Sequence, residues 1–305
     1  MRERQGKLDE AVRMSLLAIE LAESVGEDRA LAMALGVHDT SVVELGRVDE
    51  ATHMLQALEI YERLGDQVHV AITLGNLGGV SYFESKWTEA LEYFERSAEA
   101  ATAAGDLAGA AHSLVNLGEM LATLGRLEDA VRVLEPALRT LESFGFPYGT
   151  GIAMMQLGRA QALLGDLDQG VVRIEAAVVT FDQVNVPMAS LEARARLAEV
   201  LTAADSTERA VEALAVARAL DAELGESPMT AIIDRVEVTL EAGRDPARAR
   251  ELLGPALDRA RDLGASYDLL VLLTLADRLG MGDGGDEAAA ISRNLGVVEL
   301  VVVPD

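Results

Sequence analysis

Gly125-Arg126-Leu127-Glu128-Asp129-Ala130 is a phrase that this chain repeats. Close copies are Gly6-Lys7-Leu8-Asp9-Glu10-Ala11, Gly46-Arg47-Val48-Asp49-Glu50-Ala51 and Gly165-Asp166-Leu167-Asp168-Gln169-Gly170. Weaker copies are Ser85-Lys86-Trp87-Thr88-Glu89-Ala90, Ser206-Thr207-Glu208-Arg209-Ala210 and Gly243-Arg244-Asp245-Pro246-Ala247-Arg248-Ala249. The last residue falls at 11, 51, 90, 130, 170, 210 and 249, a spacing of 39 or 40 residues throughout. A second mark lies midway, at Gly26, Gly65, Gly105, Gly145, Asn185, Gly225 and Gly264. Glycine and asparagine tolerate the left-handed conformation that ends a helix. Pro147, Pro187 and Pro228 follow closely, where a missing N–H suits the first turn of a new helix.

Each period therefore holds two helices. Leu127, Ala130, Val131, Leu134, Ala137, Leu138 and Leu141 recur at spacings of three and four and form one apolar stripe. Asp9, Asp49 and Asp168 fall in the first turn after their glycine, at the positive end of the helix dipole. A single helix pair cannot bury its stripe alone, so neighbouring pairs supply the rest of the core. The expectation is an all-α solenoid of about seven hairpins. It runs as a single array over residues 1–296, opens with an unpaired second helix and ends in an apolar tail at 297–305. Pro136 and Pro255 fall inside second helices and predict local kinks there.

Composition narrows the function. Hydrophobic residues make up 50% of the chain and aromatics only 4%, so alanine and leucine must fill the interior. The net charge is −25, which repels phosphate backbones and anionic headgroups and disfavours nucleic acid and membrane partners. There is no cysteine, hence no disulfide and no thiolate chemistry, as suits a cytoplasmic protein. The apolar run Leu269 to Leu273 is far too short to span a bilayer. The four histidines, His38, His53, His69 and His112, show no spacing that signals a metal site, and no cofactor is expected. His38 reads as a buried, hydrogen-bonded core residue. No nucleophile stands beside a base, so no catalytic residue is assigned. Gly280-Met281-Gly282-Asp283-Gly284-Gly285 matches a dinucleotide fingerprint by letter but follows a helix, and reads as a loop.

Asn76-Leu77-Gly78 precedes Ala90 and Phe94; Asn116-Leu117-Gly118 precedes Ala130 and Leu134; Gln156-Leu157-Gly158 precedes Gly170. This Leu-Gly pair, followed by a small residue and then a large one, resembles the tetratricopeptide repeat. The long period is similar to the repeats of maltose-activator-type and other bacterial signalling ATPase regulators and of kinesin light chains. The tail Leu295-Gly296-Val297-Val298 to Val303-Pro304 resembles that of regulators carrying an adenylate or guanylate cyclase or ATPase module. The pattern departs at His38-Asp39, which replaces Leu-Gly, and at Arg235-Val236-Glu237.

The resemblance implies a right-handed superhelix with a concave groove lined by the first helices, one column of which reads Val37, Asn76, Asn116, Gln156, Arg196 and Arg235. Such amides can both donate to and accept from an extended peptide. An earlier column, Met33, Ile72, His112, Ile152 and Glu192, lacks the basic residues of a carboxylate clamp. Tyr82, with Phe83 and Trp87, is a further candidate anchor, although Trp87 reads better as core. The leading expectation is a scaffold that binds a protein or peptide and has no enzymatic activity. The alternative is the C-terminal sensory or regulatory region of a larger signalling protein, with a catalytic or regulatory domain upstream.

Overall fold

A computed structural model describes residues 2–282, 284–297 and 300, with side chains from residue 6 onward. Among the described residues there is no strand. The chain divides into two compact units, Met1–Asn116 and Leu117–Asp305.

The first unit holds α1 (Arg2–Val25), α2 (Asp28–Glu44), a 3-10 turn (Val48–Glu50), α3 (Met54–Leu64), α4 (Gln67–Phe83), α5 (Trp87–Ala103) and the start of α6 (Leu107–Thr123). The second takes over within α6 and continues with α7 (Leu127–Phe144), α8 (Pro147–Leu163), α9 (Leu167–Gln183), α10 (Pro187–Ala203) and α11 (Thr207–Leu224). It ends with α12 (Pro228–Arg244), α13 (Pro246–Asp262), α14 (Ser266–Arg278) and α15 (Gly285–Leu295).

The turns obey the glycine reading. Gly65 (φ 68°) ends α3: its N–H bonds to Glu62 O at 3.1 Å, while Asp66 N–H reaches back to Tyr61 O at 3.0 Å. Asn185 takes the same conformation after α9. Ser85 and Asp205 do so with a side chain to accommodate, at φ 60° and 54°. Pro147, Pro187, Pro228 and Pro246 each open a helix. α7 and α13 run without a break through Pro136 and Pro255.

Within each unit consecutive helices pair as hairpins, α1 with α2 and α4 with α5 in the first, α8 with α9 and α10 with α11 in the second. In the second unit α8, α10, α12 and α14 also pack on one another in turn, so they form an inner layer covered from two sides. Burial follows from this. α8 and α10 hide residues on every face, whereas α9 hides Gly170, Val171, Ile174, Ala177 and Phe181 along one stripe. Met155, Ile174, Phe181, Leu191 and Ile233 anchor this core. Leu35, Tyr61, Leu74 and Ala101 anchor that of the first unit.

The Leu-Gly glycines set the hairpin spacing. A Cβ on Gly78 would meet the Phe94 ring at 2.6 Å, and one on Gly158 would meet the Gly170 carbonyl oxygen at 2.7 Å. The large residue after the small one therefore packs over the glycine, as the repeat pattern requires.

Two places differ from the sequence reading. α1 begins at Arg2 and passes straight through Gly6, which leaves Asp9 in a helix interior. The second helix of the next period starts at Met54 instead of Val48, and Asp49 lies in a 3-10 turn. The cause is Asp39, standing where three other periods have Gly78, Gly118 and Gly158. Its carboxylate accepts from the backbone N–H groups of His53 (2.5 Å) and Met54 (2.8 Å) and fixes the start of α3 there. Leu55, the counterpart of Phe94 and Leu134, is left 55% exposed. The expected tail at 297–305 lies, apart from Val297 and Leu300, outside the described residues.

Candidate functional site

The groove column sits in two different settings. In the first unit it faces solvent. Val37 on α2 is exposed, Asn76 on α4 is half-buried, and Asn116 on α6 is exposed. One turn earlier on the same helices, Met33 and Ile72 are 55% and 54% exposed, although both are large and apolar. α2 and α4 thus carry an uncovered apolar stripe with an amide beside it. Tyr82 is half-buried, with its ring stacked on Trp87 at 5.8 Å and edge-on to Phe83 at 5.6 Å. Trp87 is core and Phe83 is exposed.

In the second unit the same column is sealed. Gln156, Arg196 and Arg235 are buried and do not form a solvated helix face. Glu199, itself 2% exposed, is the hub. Its Oε2 accepts from Arg159 Nε at 2.6 Å and from Arg196 Nη1 at 3.4 Å, and its Oε1 accepts from Arg235 Nη2 at 2.7 Å. Arg235 Nε donates to Asp268 Oδ1 at 2.6 Å, and its guanidinium lies 5.8 Å from the centre of the Tyr267 ring. The network ties α8, α10, α12 and α14 together.

Electrostatics divide the acids of this unit into two kinds. Burial pushes the Glu199 carboxyl up, but the Arg159, Arg235 and Arg196 guanidiniums outweigh that and hold it far below the usual range. Burial pushes Glu119 up to about 7, reinforced by the Glu192 carboxylate and opposed by Arg196 and Arg159. Burial also raises Glu192, against Arg196 and Arg159. Tyr148, half open to solvent, is raised by burial and by both glutamates. Gln156 has no partner for either amide atom, and Arg159 Nη1 and Arg196 Nε also lack one. Buried polar atoms left so are uncommon.

Arg159 and Glu199 were missed in the sequence, although a signal was present. Glu119, Arg159 and Glu199 stand one residue after the glycine position and alternate in sign at intervals of forty. A cleft of about 380 Å³ lies elsewhere, on α9, α10 and α11, and is lined by Val179, Leu197, Arg209 and Val216 among others. Two histidines also meet. His38 Nδ1 and His53 Nδ1 each lie 2.9 Å from Asp39 Oδ1, a convergence that sequence spacing did not reveal. No helix of the described residues is long and apolar enough to cross a membrane.

Comparison with known proteins agrees with this architecture. The tetratricopeptide repeat family description matches residues 69–143. Comparison with curated proteins gives no match. Among solved structures, a Rap protein complexed with competence and sporulation factor superposes with a TM-score of 0.61 at 15% identity, covering 97% of this chain and 96% of that one. BtubC from P. vanneervenii gives 0.58 at 18% identity over 72% of this chain and 94% of that one. A signal transduction ATPase with numerous domains and a tetratricopeptide repeat sensor, from Pyrococcus horikoshii, gives 0.59 at 17% identity over 91% and 46%. These likenesses establish the fold as an α-solenoid, and residues 69–143 match the tetratricopeptide repeat.

Proposed function

We propose that the chain is an interaction scaffold that holds an extended segment of a protein or peptide against the exposed faces of α2 and α4. The observation that carries this reading is the stripe of Met33, Val37 and Ile72 beside Asn76. These are large apolar side chains left in water on helices whose other faces are packed, with an amide in reach. Asn116 belongs to the same proposed face, and Tyr82 lies near the C-terminal end of α4. Gln156, Arg196 and Arg235 contribute mainly by fixing the inner layer of the second unit. The Rap conjugation gene regulator of the plasmid pLS20, solved in complex with the Phr* peptide, shares the fold and supports a peptide as the class of ligand. The acidic surface favours a basic segment.

The test is a pull-down from lysate of the source cell, with the native chain compared with Asn76→Ala/Asn116→Ala. Loss of a captured protein by a variant of unchanged melting temperature supports the groove. Capture that ignores both substitutions sinks it. A second reading, a sensor region of a larger signalling protein, draws on the Pyrococcus horikoshii structure, of which the match spans 46%. An ATPase or cyclase module encoded in frame upstream would favour it.

A further inference from the structure

We propose that His38, Asp39 and His53 form a binding site for a divalent first-row transition metal, zinc by preference, which clips the start of α3 to α2. The site sits where the repeat breaks its own rule. At Gly78, Gly118 and Gly158 the Leu-Gly pair lets a large side chain pack over the glycine; here His38-Asp39 replaces the pair and the second helix starts late, at His53-Met54. Donor atoms of the three side chains lie within 4.8 Å of one another. The two rings meet edge to face, with centroids 5.0 Å apart. His38 and Asp39 are buried, while the His53 side chain keeps 34% of its surface.

The geometry suits a metal better than a simple cap requires. One carboxylate oxygen of Asp39, Oδ2, is held by two backbone N–H groups at 2.5 and 2.8 Å, and this orients the other. Oδ1 then faces both Nδ1 atoms at 2.9 Å. Donors on a tetrahedral zinc with bonds of about 2.0–2.1 Å stand roughly 3.3 Å apart. The two Nδ1–Oδ1 separations open by about 0.4 Å and the imidazole donor pair, within 4.8 Å, closes by up to about 1.5 Å through ring rotation to admit the ion, with each imidazole carrying its proton on Nε2. The backbone donors to Oδ2 act as the outer shell that fixes a ligating carboxylate. The solvent-facing edge of His53 gives an entry path and leaves a coordination position open to water. Two imidazoles and one carboxylate are a borderline donor set, which selects zinc, cobalt or nickel over magnesium and calcium.

The experiment strips the full chain with a chelator and titrates it with zinc by calorimetry, then with cobalt by visible absorption. The expected result is saturable uptake of a single equivalent, a raised melting temperature and cobalt ligand-field bands. His53→Ala and Asp39→Asn should each weaken uptake at least about tenfold. His69→Ala/His112→Ala should leave it unchanged. If His38→Ala fails to fold, the partly exposed His53 still decides. Absence of saturable uptake would leave a hydrogen-bonded cap only and overturn the proposal. So would uptake that survives His53→Ala.

Discussion

The column of residues before the Leu-Gly position occurs in both units with opposite outcomes. In the first unit it shows Val37 and Asn76 to solvent beside exposed Met33 and Ile72. In the second it is Gln156, Arg196 and Arg235, closed in by α8, α10, α12 and α14 and held on Glu199. A repeat position therefore does not determine exposure. What determines it is how closely successive inner helices pack and whether the charges they bring can satisfy one another. Buried arginines persist only where carboxylates meet them with good geometry. Exposed apolar side chains persist at little cost to the fold and leave a surface for a partner.

The largest expected effect breaks the sealed side. Glu199→Ala leaves three buried guanidiniums without their hub and should cost about 3–5 kcal/mol in urea unfolding at neutral pH. A loss below about 1 kcal/mol would mean that water reaches the arginines and that the contrast is wrong. Next, Gly158→Ala drives a methyl group into the Gly170 backbone and should cost about 3 kcal/mol. Gly36 in α2 has open space around it, and Gly36→Ala should instead gain up to about 1 kcal/mol from helix propensity.

A third prediction uses pH. Glu119 titrates near 7 in the folded chain against an ordinary 4.5, so folding prefers its protonated form. Its penalty is absent below the ordinary value, grows as pH rises towards 7 and is constant above. Glu119→Gln should therefore be nearly neutral at pH 4 and more stable than the native chain by about 2 kcal/mol at pH 8. An equal effect at both pH values would show that the carboxyl is not held up by its surroundings. The smallest effect is on the open side, where Asn76→Ala should change stability by no more than about 0.5 kcal/mol while weakening partner capture.

Much of the fold was legible in the sequence because its signals are local. Gly65, Gly145 and Asn185 end helices by backbone conformation, Pro147 and Pro187 start them, and Gly78, Gly118 and Gly158 mark the close approaches. The late start of α3 was not legible, because it depends on Asp39 reaching fourteen and fifteen residues ahead to cap it. The meeting of His38 with His53 was hidden for the same reason. The groove column could be named by register, but its burial could not. Exposure of Gln156 or Arg235 depends on the neighbouring inner helices, and Glu199 lies a full period from Arg159.

The account rests most on the claim that the open face of α2 and α4 is where a partner sits. Hydrogen–deuterium exchange of the full chain, alone and with the partner captured from lysate, tests it directly. The account predicts slowed exchange at residues 33–37 and 72–76, with the interior of α10 and α12 unchanged, and loss of that slowing in Met33→Asp/Ile72→Asp. Slowing confined to other segments, with residues 33–37 and 72–76 unaffected, would contradict it.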